Sequence, residues 1–437
     1  MSAPDDRSAA NAAEPLNDAE RVVDDLLTEA HLLGAHQLPS LLLRYGRRLG
    51  VERATTYLAD LQQEVLVPFV GSDGPADDET LGALTVDGTV AGRAYQNVEV
   101  LTQVLTRGRQ RVWLPLLDGS ERLGVLSVTS DGGLLERPEQ LTRLRRFAAL
   151  TAELVMSKTL YGDTIVRLRR TAAMGLAAEM QWSLLPPLTF VCGTVSVAAA
   201  LEPAYQVAGD TVDYAVDAGY ARVGVFDGMG HGLESAQLAV LTVAAYRSAR
   251  RNDRGLTETV RTIDDALLAG FGGEAFSTAL LAELDTDTGR LQWVSAGHPA
   301  PLLLRDGRLV KTLHVEPAPP LGLGRAADPR RPADPVAVGS EQLEPGDRVL
   351  LFTDGVTEAR SPEGDFFGVD RLVDLVIRNL AGGLPTPETM RRVVRALLAH
   401  QQGQLTDDAT LLLLEWRSGN AEALLPSTAV EGHTRPT

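Results

Sequence analysis

From residue 190 onward, strand-like and helix-like patterning alternates in an order that few folds accommodate. Strand candidates are TVSVAAAL (194–201), VDYAVD (212–217), YARVGVFD (220–227), FSTALLAEL (276–284), RLQWVSAG (290–297), PLLLRDG (301–307), RVLLFTD (348–354) and ATLLLLEW (409–416). Helical periodicity falls in two pairs, 233–250 with 256–271 and 369–380 with 386–401. Many antiparallel strands with helices inserted in pairs imply helical layers covering a β-sandwich. The Pro/Arg-rich stretch 325–339 reads as a flexible insertion, and the polar tail 417–437 as disordered.

The N-terminal part is patterned differently. Residues 1–16 are rich in Ala, Asp, Glu and Pro and read as disordered. Val22, Val23, Leu26, Leu27 and Ala30 recur on one helical face, and Gly34 and Pro39 divide that region into two helices. Short strands follow at 54–58, 64–70, 99–105, 110–117 and 122–130, with Asp118-Gly119 as a hairpin turn. A Leu/Ala-rich helix begins near Pro138. Residues 17–155 are therefore expected to form an α+β unit. The segments TVAGRAYQN (89–97), LPLLDGSERLGVLSV (114–128) and RFAALTAELV (146–155) resemble a GAF sensory domain. That resemblance implies a small-molecule ligand or a dimerising role, and no residue here specifies which.

Residues 155–185 read as one long helix. Tyr161, Ile165, Leu168 and Ala172 follow 4-3-4 spacing, and Leu176, Met180 and Leu184 follow by fours. The stripe predicts a short parallel coiled coil, hence a homodimer, over a helical linker 156–187. Leu185-Pro186-Pro187 ends it. Such a helix acts either as a plain spacer or as a transmitter, by ordering 176–187 against the second domain.

Charge and cysteine content exclude several functions. The net charge of −17 offers no electrostatic footprint for nucleic acid or an anionic membrane. The acidic, polar N-terminus does not read as a signal peptide, so the chain is expected in the cytoplasm. The single cysteine, Cys192, excludes intrachain disulfides and cysteine-cluster zinc sites. A cysteine-nucleophile phosphatase would need Arg six positions later, where Ala198 stands. Cys192 reads as a small buried residue.

Four acidic positions stand at the ends of strand candidates. Asp210 and Asp213 lie in VAGDTVDY. Asp227 ends YARVGVFD and opens the turn Asp227-Gly228-Met229-Gly230-His231-Gly232. Asp354 ends RVLLFTD, and Asp407 and Asp408 precede the last strand. Each alone is ordinary turn chemistry. Together they would place carboxylates along one sheet edge, where they would repel unless a divalent cation intervened. An oxygen-only set favours Mg²⁺ or Mn²⁺, and two such ions can clamp a phosphoryl group.

These motifs, in this order, resemble the metal-dependent type-2C protein phosphatase (PPM) family in its bacterial SpoIIE/RsbU-like branch. The matching pieces are LLPP (184–187), AGDTVD (208–213), DGMGHG (227–232), FSTALLAELD (276–285), SAGHPAP (295–301), PPLGLG (319–324), EPGDRVLLFTDGVTEAR (344–360), FFG (366–368) and DDATLLLLE (407–415). The resemblance implies an α-β-β-α sandwich over 188–416. It implies that Asp227 bridges two Mn²⁺ or Mg²⁺ ions with the Gly228 carbonyl as a further ligand. Asp354 and Asp407 would ligate on opposite sides, and Asp210 directly or through water. Asp213 and Asp408 would be supporting residues. Asp227, Asp354 and Asp407 thus carry the implied catalysis, a metal-activated water attacking phosphoserine or phosphothreonine. A phosphorylated anti-anti-sigma (STAS-type) regulator is the implied partner, under GAF control. The alternative is a ligand-sensing scaffold whose phosphatase fold serves for docking.

Two small departures, Ala208 for Gly and Ser295 for Asn, remove no ligand. No counterpart of the eukaryotic phosphate-binding Arg is evident. His231 and His298 are either general acids or loop-fixing hydrogen-bond partners, the latter being the simpler reading.

Overall fold

The computed structural model describes residues 18–71, 82–131, 133, 137–202, 205, 208–324, 336–403, 405 and 407–417. The expectations of disorder at 1–16 and in the tail after 417, and most of the 325–339 insertion, lie outside them.

The N-terminal unit runs α1 (Asp18–Ala30), a 3₁₀ turn, α2 (Leu38–Arg48), β1 (Arg53–Ala59), β2 (Val65–Phe69), β3 (Leu84–Thr85), α3 (Val90–Asn97), β4 (Leu101–Val104), β5 (Arg109–Asp118), β6 (Glu121–Asp131), α4 (Pro138–Thr159) and α5 (Thr164–Leu168). Its antiparallel sheet has the order β3-β2-β1-β6-β5-β4. Side-chain alternation loads both faces. Leu58, Leu114, Leu126 and Val128 pack under α1, α2 and α4, whereas Tyr57, Trp113 and Val125 pack with Ala91, Ala94 and Tyr95 of α3. Gly119, at φ 57°, turns the β5–β6 hairpin as expected.

The expected continuous helix over 155–185 is not formed. α4 ends at Thr159, α5 is a single short turn, and α6 (Leu176–Leu184) begins after Gly175. Tertiary bonds explain the break. Leu61 N–H donates to the Arg169 carbonyl at 3.1 Å, and Arg169 Nε donates to the Ala59 carbonyl at 2.9 Å. The 4-3-4 stripe is therefore not a coiled-coil seam. Ile165 is buried in the N-terminal core, while Leu160, Tyr161 and Leu176 are exposed. α6 stops at Leu185, whose extended backbone suits the following proline.

The C-terminal sandwich contains β7 (Thr189–Val191), β8 (Val195–Glu202), β9 (Ala208–Asp217), β10 (Tyr220–His231), α7 (Leu233–Arg251), α8 (Leu256–Phe271), β11 (Ser277–Asp285), β12 (Arg290–Ala296), β13 (Leu302–Arg305), β14 (Arg308–Thr312), β15 (Gly339–Gln342), β16 (Arg348–Phe352), α9 (Asp354–Thr357), α10 (Val369–Ala381), α11 (Thr386–His400) and β17 (Ala409–Trp416). One sheet has the order β15-β12-β11-β10-β9 and the other β14-β13-β16-β17-β8-β7.

The layering follows from alternation along each strand. Val223 and Val225 of β10 meet Val349, Leu351, Leu412 and Leu414 between the sheets. The opposite faces carry Phe226 and Leu281 toward α7 and α8, and Leu350, Leu411 and Leu413 toward α10 and α11. This explains the unbroken run LLLL at 411–414, a strand covered on both faces. The expected α-β-β-α layering is thus present. Cys192 is partly exposed beside Thr194, not buried as expected, because it lies between the short edge strand β7 and β8.

Candidate metal centre

β9 and β10 present the first two acids. Asp210 and Asp227 are directly opposite in the antiparallel register, and the ladder resumes only at His231↔Ala208. Four steps along β10 thus match two along β9, a bulge at Gly228–Gly230. This corrects the expectation that Asp227 ends its strand, since β10 continues through the DGMGH segment to His231. Asp227 is turned by the bulge rather than by a terminal turn.

Asp354 opens the single turn α9, directly after β16 and Thr353. Asp407 stands just before β17, and the Asp408 N–H donates to its carboxylate at 2.9 Å. Both are exposed, Asp227 is half-buried and Asp210 is buried. Close backbone approach assembles these pieces. A Cβ on Gly209 would fall 1.7 Å from the Gly228 carbonyl oxygen, and one on Gly355 would fall 1.7 Å from the Asp408 carbonyl oxygen. Only glycine fits at either crossing.

Thr353 ties the two sheets together at the site. Its hydroxyl donates to Asp210 Oδ2 at 2.6 Å and accepts the Thr410 N–H at 3.0 Å. The Asp210 N–H donates to Asp408 Oδ2 at 3.3 Å. From the linker, Gln181 Nε2 donates to the Asp210 carbonyl, and Gln181 is itself buried.

The electrostatics show which acids converge. Burial, and then the charges of Asp354 and Asp407, push the Asp227 carboxyl up to about 6. Burial and the charges of Asp227 and Asp408 raise Asp210 well above the carboxylate range. Asp354 is raised by burial and by Asp407. Clustered carboxylates in partial burial are what a bound cation would relieve. Among the described residues, no three His, Cys, Asp or Glu side chains are closed to metal-ligand spacing. The acids are within electrostatic reach of one another but are not drawn into a coordination shell. Their oxygen-only chemistry fits Mg²⁺ or Mn²⁺.

Asp213 stands apart from this cluster. Its Oδ1 accepts Arg247 Nη2 at 2.7 Å and its Oδ2 accepts Arg250 Nη1 at 2.8 Å, clamping β9 to α7. Arg247 also donates to the Leu184 carbonyl at 2.5 Å, and the Tyr214 hydroxyl donates to the Pro187 carbonyl at 2.7 Å. The LLPP segment is thereby pinned to the sandwich. His298 is buried, with Nδ1 at 2.8 Å from Thr278 Oγ1, and burial lowers its pKa to about 3. His231 lies exposed at the end of β10.

The sequence reading missed Gln181, Thr353 and the Arg247–Arg250 clamp. Gln181 left a faint trace, a polar residue beside the apolar Leu176, Met180 and Leu184. Thr353 and the two arginines left none, because their partners are 143 and 34 to 37 residues away in sequence.

Residues 217–417 match the sequence family described as Stage II sporulation protein E (SpoIIE). The match covers just under half of the chain. The matched segment contains Asp227, Asp354 and Asp407, while Asp210 and Asp213 stand just before it. The chain is 25% identical over 239 residues to phosphoserine phosphatase RsbU of Bacillus subtilis, covering 55% of this chain and 68% of RsbU. It is 28% identical over 155 residues to Protein IcfG of Synechocystis, covering 35% of this chain but only 23% of IcfG. The match therefore spans less than two thirds of IcfG. Among solved structures, the SiaA-PP2C domain of Pseudomonas aeruginosa aligns with a TM-score of 0.46 at 23% identity, covering 55% of this chain and 94% of that domain. No helix among the described residues is long and apolar enough to cross a membrane.

Proposed function

We propose that residues 188–416 form a metal-dependent protein serine/threonine phosphatase. The observation that carries this reading is the convergence of the Asp354 and Asp407 charges on half-buried Asp227, in a segment that matches the SpoIIE family. Asp227 and the Gly228 carbonyl would hold two Mn²⁺ or Mg²⁺ ions between Asp354 and Asp407, with Asp210 ligating directly or through water. Such ions supply Lewis acidity toward a phosphoryl group and make a water acidic enough to attack it.

The chain's own residues set the stage for that chemistry. The β10 bulge presents Asp227, Thr353 holds Asp210 against β16, and Gln181 braces the Asp210 carbonyl from behind. No protein nucleophile is needed. His298 is buried and neutral near pH 7, which favours its loop-fixing role over proton donation.

In this reading the substrate is a phosphorylated anti-anti-sigma (STAS-type) regulator in partner-switching signalling. Residues 17–155 are a GAF-type sensor, and the linker 156–187 conveys its state through α6 to Asp210. Exposed Leu160 and Tyr161 favour pairing of two copies along that linker. The decisive assay is Mn²⁺-dependent hydrolysis of a phosphoserine peptide. Activity lost in Asp227→Ala and Asp354→Ala supports the enzyme. A wild-type chain that is inert with both Mn²⁺ and Mg²⁺ yet binds its phosphoprotein partner supports the docking scaffold instead.

A further inference from the structure

The N-terminal unit and the sandwich meet at charged side chains withdrawn from water. Glu388, in the first turn of α11, has 0% side-chain exposure. Its Oε2 accepts Arg122 Nη1 from β6 at 3.1 Å and Arg391 Nε at 2.9 Å, and its Oε1 accepts Arg391 Nη2 at 3.0 Å and Arg392 Nε at 3.0 Å. Arg122 and Arg391 are 3% and 4% exposed. Arg391 crosses back to the N-terminal unit, donating to Asp87 Oδ1 at 2.6 Å. Arg122 also lies over the Tyr95 ring, 4.6 Å from its centroid. Burial works against the Glu388 carboxylate, but Arg391 and Arg122 outweigh it and hold its pKa low.

The β1–β2 turn joins this cluster to the linker. Gln63 Oε1 accepts Arg122 Nη2 at 2.9 Å and the Tyr95 hydroxyl at 3.0 Å, and Glu64 pairs with Arg395 of α11. Gln63 holds φ at 54°, a left-handed backbone that tertiary bonds must maintain. Two residues earlier, Leu61 N–H holds the Arg169 carbonyl, and Asp60 lies 3.4 Å from Thr171 Oγ1. The linker continues through the bidentate Arg170–Glu179 pair into α6, and Gln181 of α6 touches Asp210.

We propose that Glu388, Arg122, Arg391 and Asp87 form an interdomain latch, with the β1–β2 turn as the relay that keeps the linker seated while the latch is closed. A latch fits the energetics. A buried carboxylate left without its guanidinium partners is strongly unfavourable, so partial separation is penalised and the two units stay closed or part cooperatively. Opening it frees the β1–β2 turn, releases Arg169 to Thr171, and lets α6 leave the Asp210 carbonyl. The inference does not depend on the catalytic reading, because its test measures linker accessibility and not turnover.

The test is limited trypsin digestion of the full chain, with cleavage after Arg167, Arg169 and Arg170 followed by mass spectrometry. Hydrogen exchange of 60–64 and 386–400 is measured in parallel. Glu388→Gln keeps the side-chain shape and removes the charge. It is expected to speed linker cleavage and exchange by about tenfold, with Asp87→Asn, at the exposed rim, giving a smaller increase. Glu258→Gln, which removes an equally charged pair with exposed Arg254, is expected to leave both rates unchanged. Wild-type cleavage and exchange in a folded Glu388→Gln chain would overturn the latch. If that variant fails to fold, the Asp87→Asn, Arg395→Gln double variant decides, and wild-type rates there would also overturn it.

Discussion

Asp227 faces Asp210 across the β9–β10 ladder at the last regular pair before the bulge. Two carboxylates share a position where a sheet ordinarily places apolar or oppositely charged pairs. Burial raises both, Asp227 and Asp408 add to the rise at Asp210, and Asp354 and Asp407 add to that at Asp227. The arrangement costs stability without a cation.

That cost has a definite pH dependence. Asp227 has a folded pKa of about 6, above its ordinary 3.8. A carboxyl raised on folding binds its proton more tightly in the native state, so stability is lost as pH rises from about 4 through 6. Asp227→Asn is therefore expected to melt higher than wild type at pH 7.5 and to match it near pH 4. The gain is about 4 °C or more, at roughly 2–4 °C per kcal/mol for a domain of this size. Mn²⁺ should raise the wild-type melting temperature at pH 7.5 and cancel the variant's advantage. Calorimetry with and without Mn²⁺ checks both, and an unchanged wild-type transition counts against a metal centre.

The Gly209 crossing is expected to tolerate no side chain. Gly209→Ala drives a methyl onto the Gly228 carbonyl. A loss of about 3 kcal/mol or more is expected, with Mn²⁺ binding weakened because the bulge must move. Denaturant unfolding and titration calorimetry measure the two effects. A variant of wild-type stability would show that β9 and β10 can separate at little cost.

Asp213 is expected to be structural. It is 1% exposed and paired with Arg247 and Arg250. Asp213→Ala should cost about 3–5 kcal/mol, because it strands two guanidinium groups at the α7 contact. Phosphopeptide hydrolysis per folded molecule should change far less than in Asp354→Ala. Equal loss of turnover in both variants would move Asp213 into the catalytic set.

His298 should remain neutral across the physiological range. Its pKa is held near 3 by burial, below the ordinary 6.5. The unfolded chain then takes up a proton that the native state refuses, so this residue subtracts stability as pH falls from about 6.5 toward 3. Nitrogen-15 shifts of its ring should stay constant from pH 8 to pH 5. A midpoint inside that window would reopen its candidacy as a proton donor.

Linker contact with the site predicts a separable effect. Gln181→Leu fills the same space and removes the donor to the Asp210 carbonyl. Hydrolysis should fall by about tenfold, roughly the worth of one lost hydrogen bond, with little change in melting temperature. An unchanged rate would reduce α6 to a spacer.

Much of the sandwich was legible because its signals are local. Strand alternation, the paired helices at 233–250 and 369–380, and the Asp-Gly steps all depend on near neighbours in sequence, and the helices at 256–271 and 386–400 appear within a residue of expectation. The linker was misread for the opposite reason. Apolar spacing by threes and fours describes a helix whether or not tertiary bonds permit one, and at Arg169 the β1–β2 turn takes the backbone carbonyl through Leu61 N–H while Ala59 at the end of β1 takes the side chain. Asp227 was misplaced by one local rule, since Asp-Gly signals a turn, while the register with β9 converts it to a bulge.

The sequence by itself determined the composition of the candidate centre. Oxygen donors, glycines for close crossing and apolar strands to carry them all follow from residue identity. Only the tertiary structure decided how those acids are held and what reaches them. Thr353, Gln181 and Glu388 act through partners 143, 29 and 266 residues distant, contacts that no periodicity encodes. Hydrogen bonds and ion pairs of that span exist only once the chain has closed its loops, because folding, not local preference, brings the two groups together.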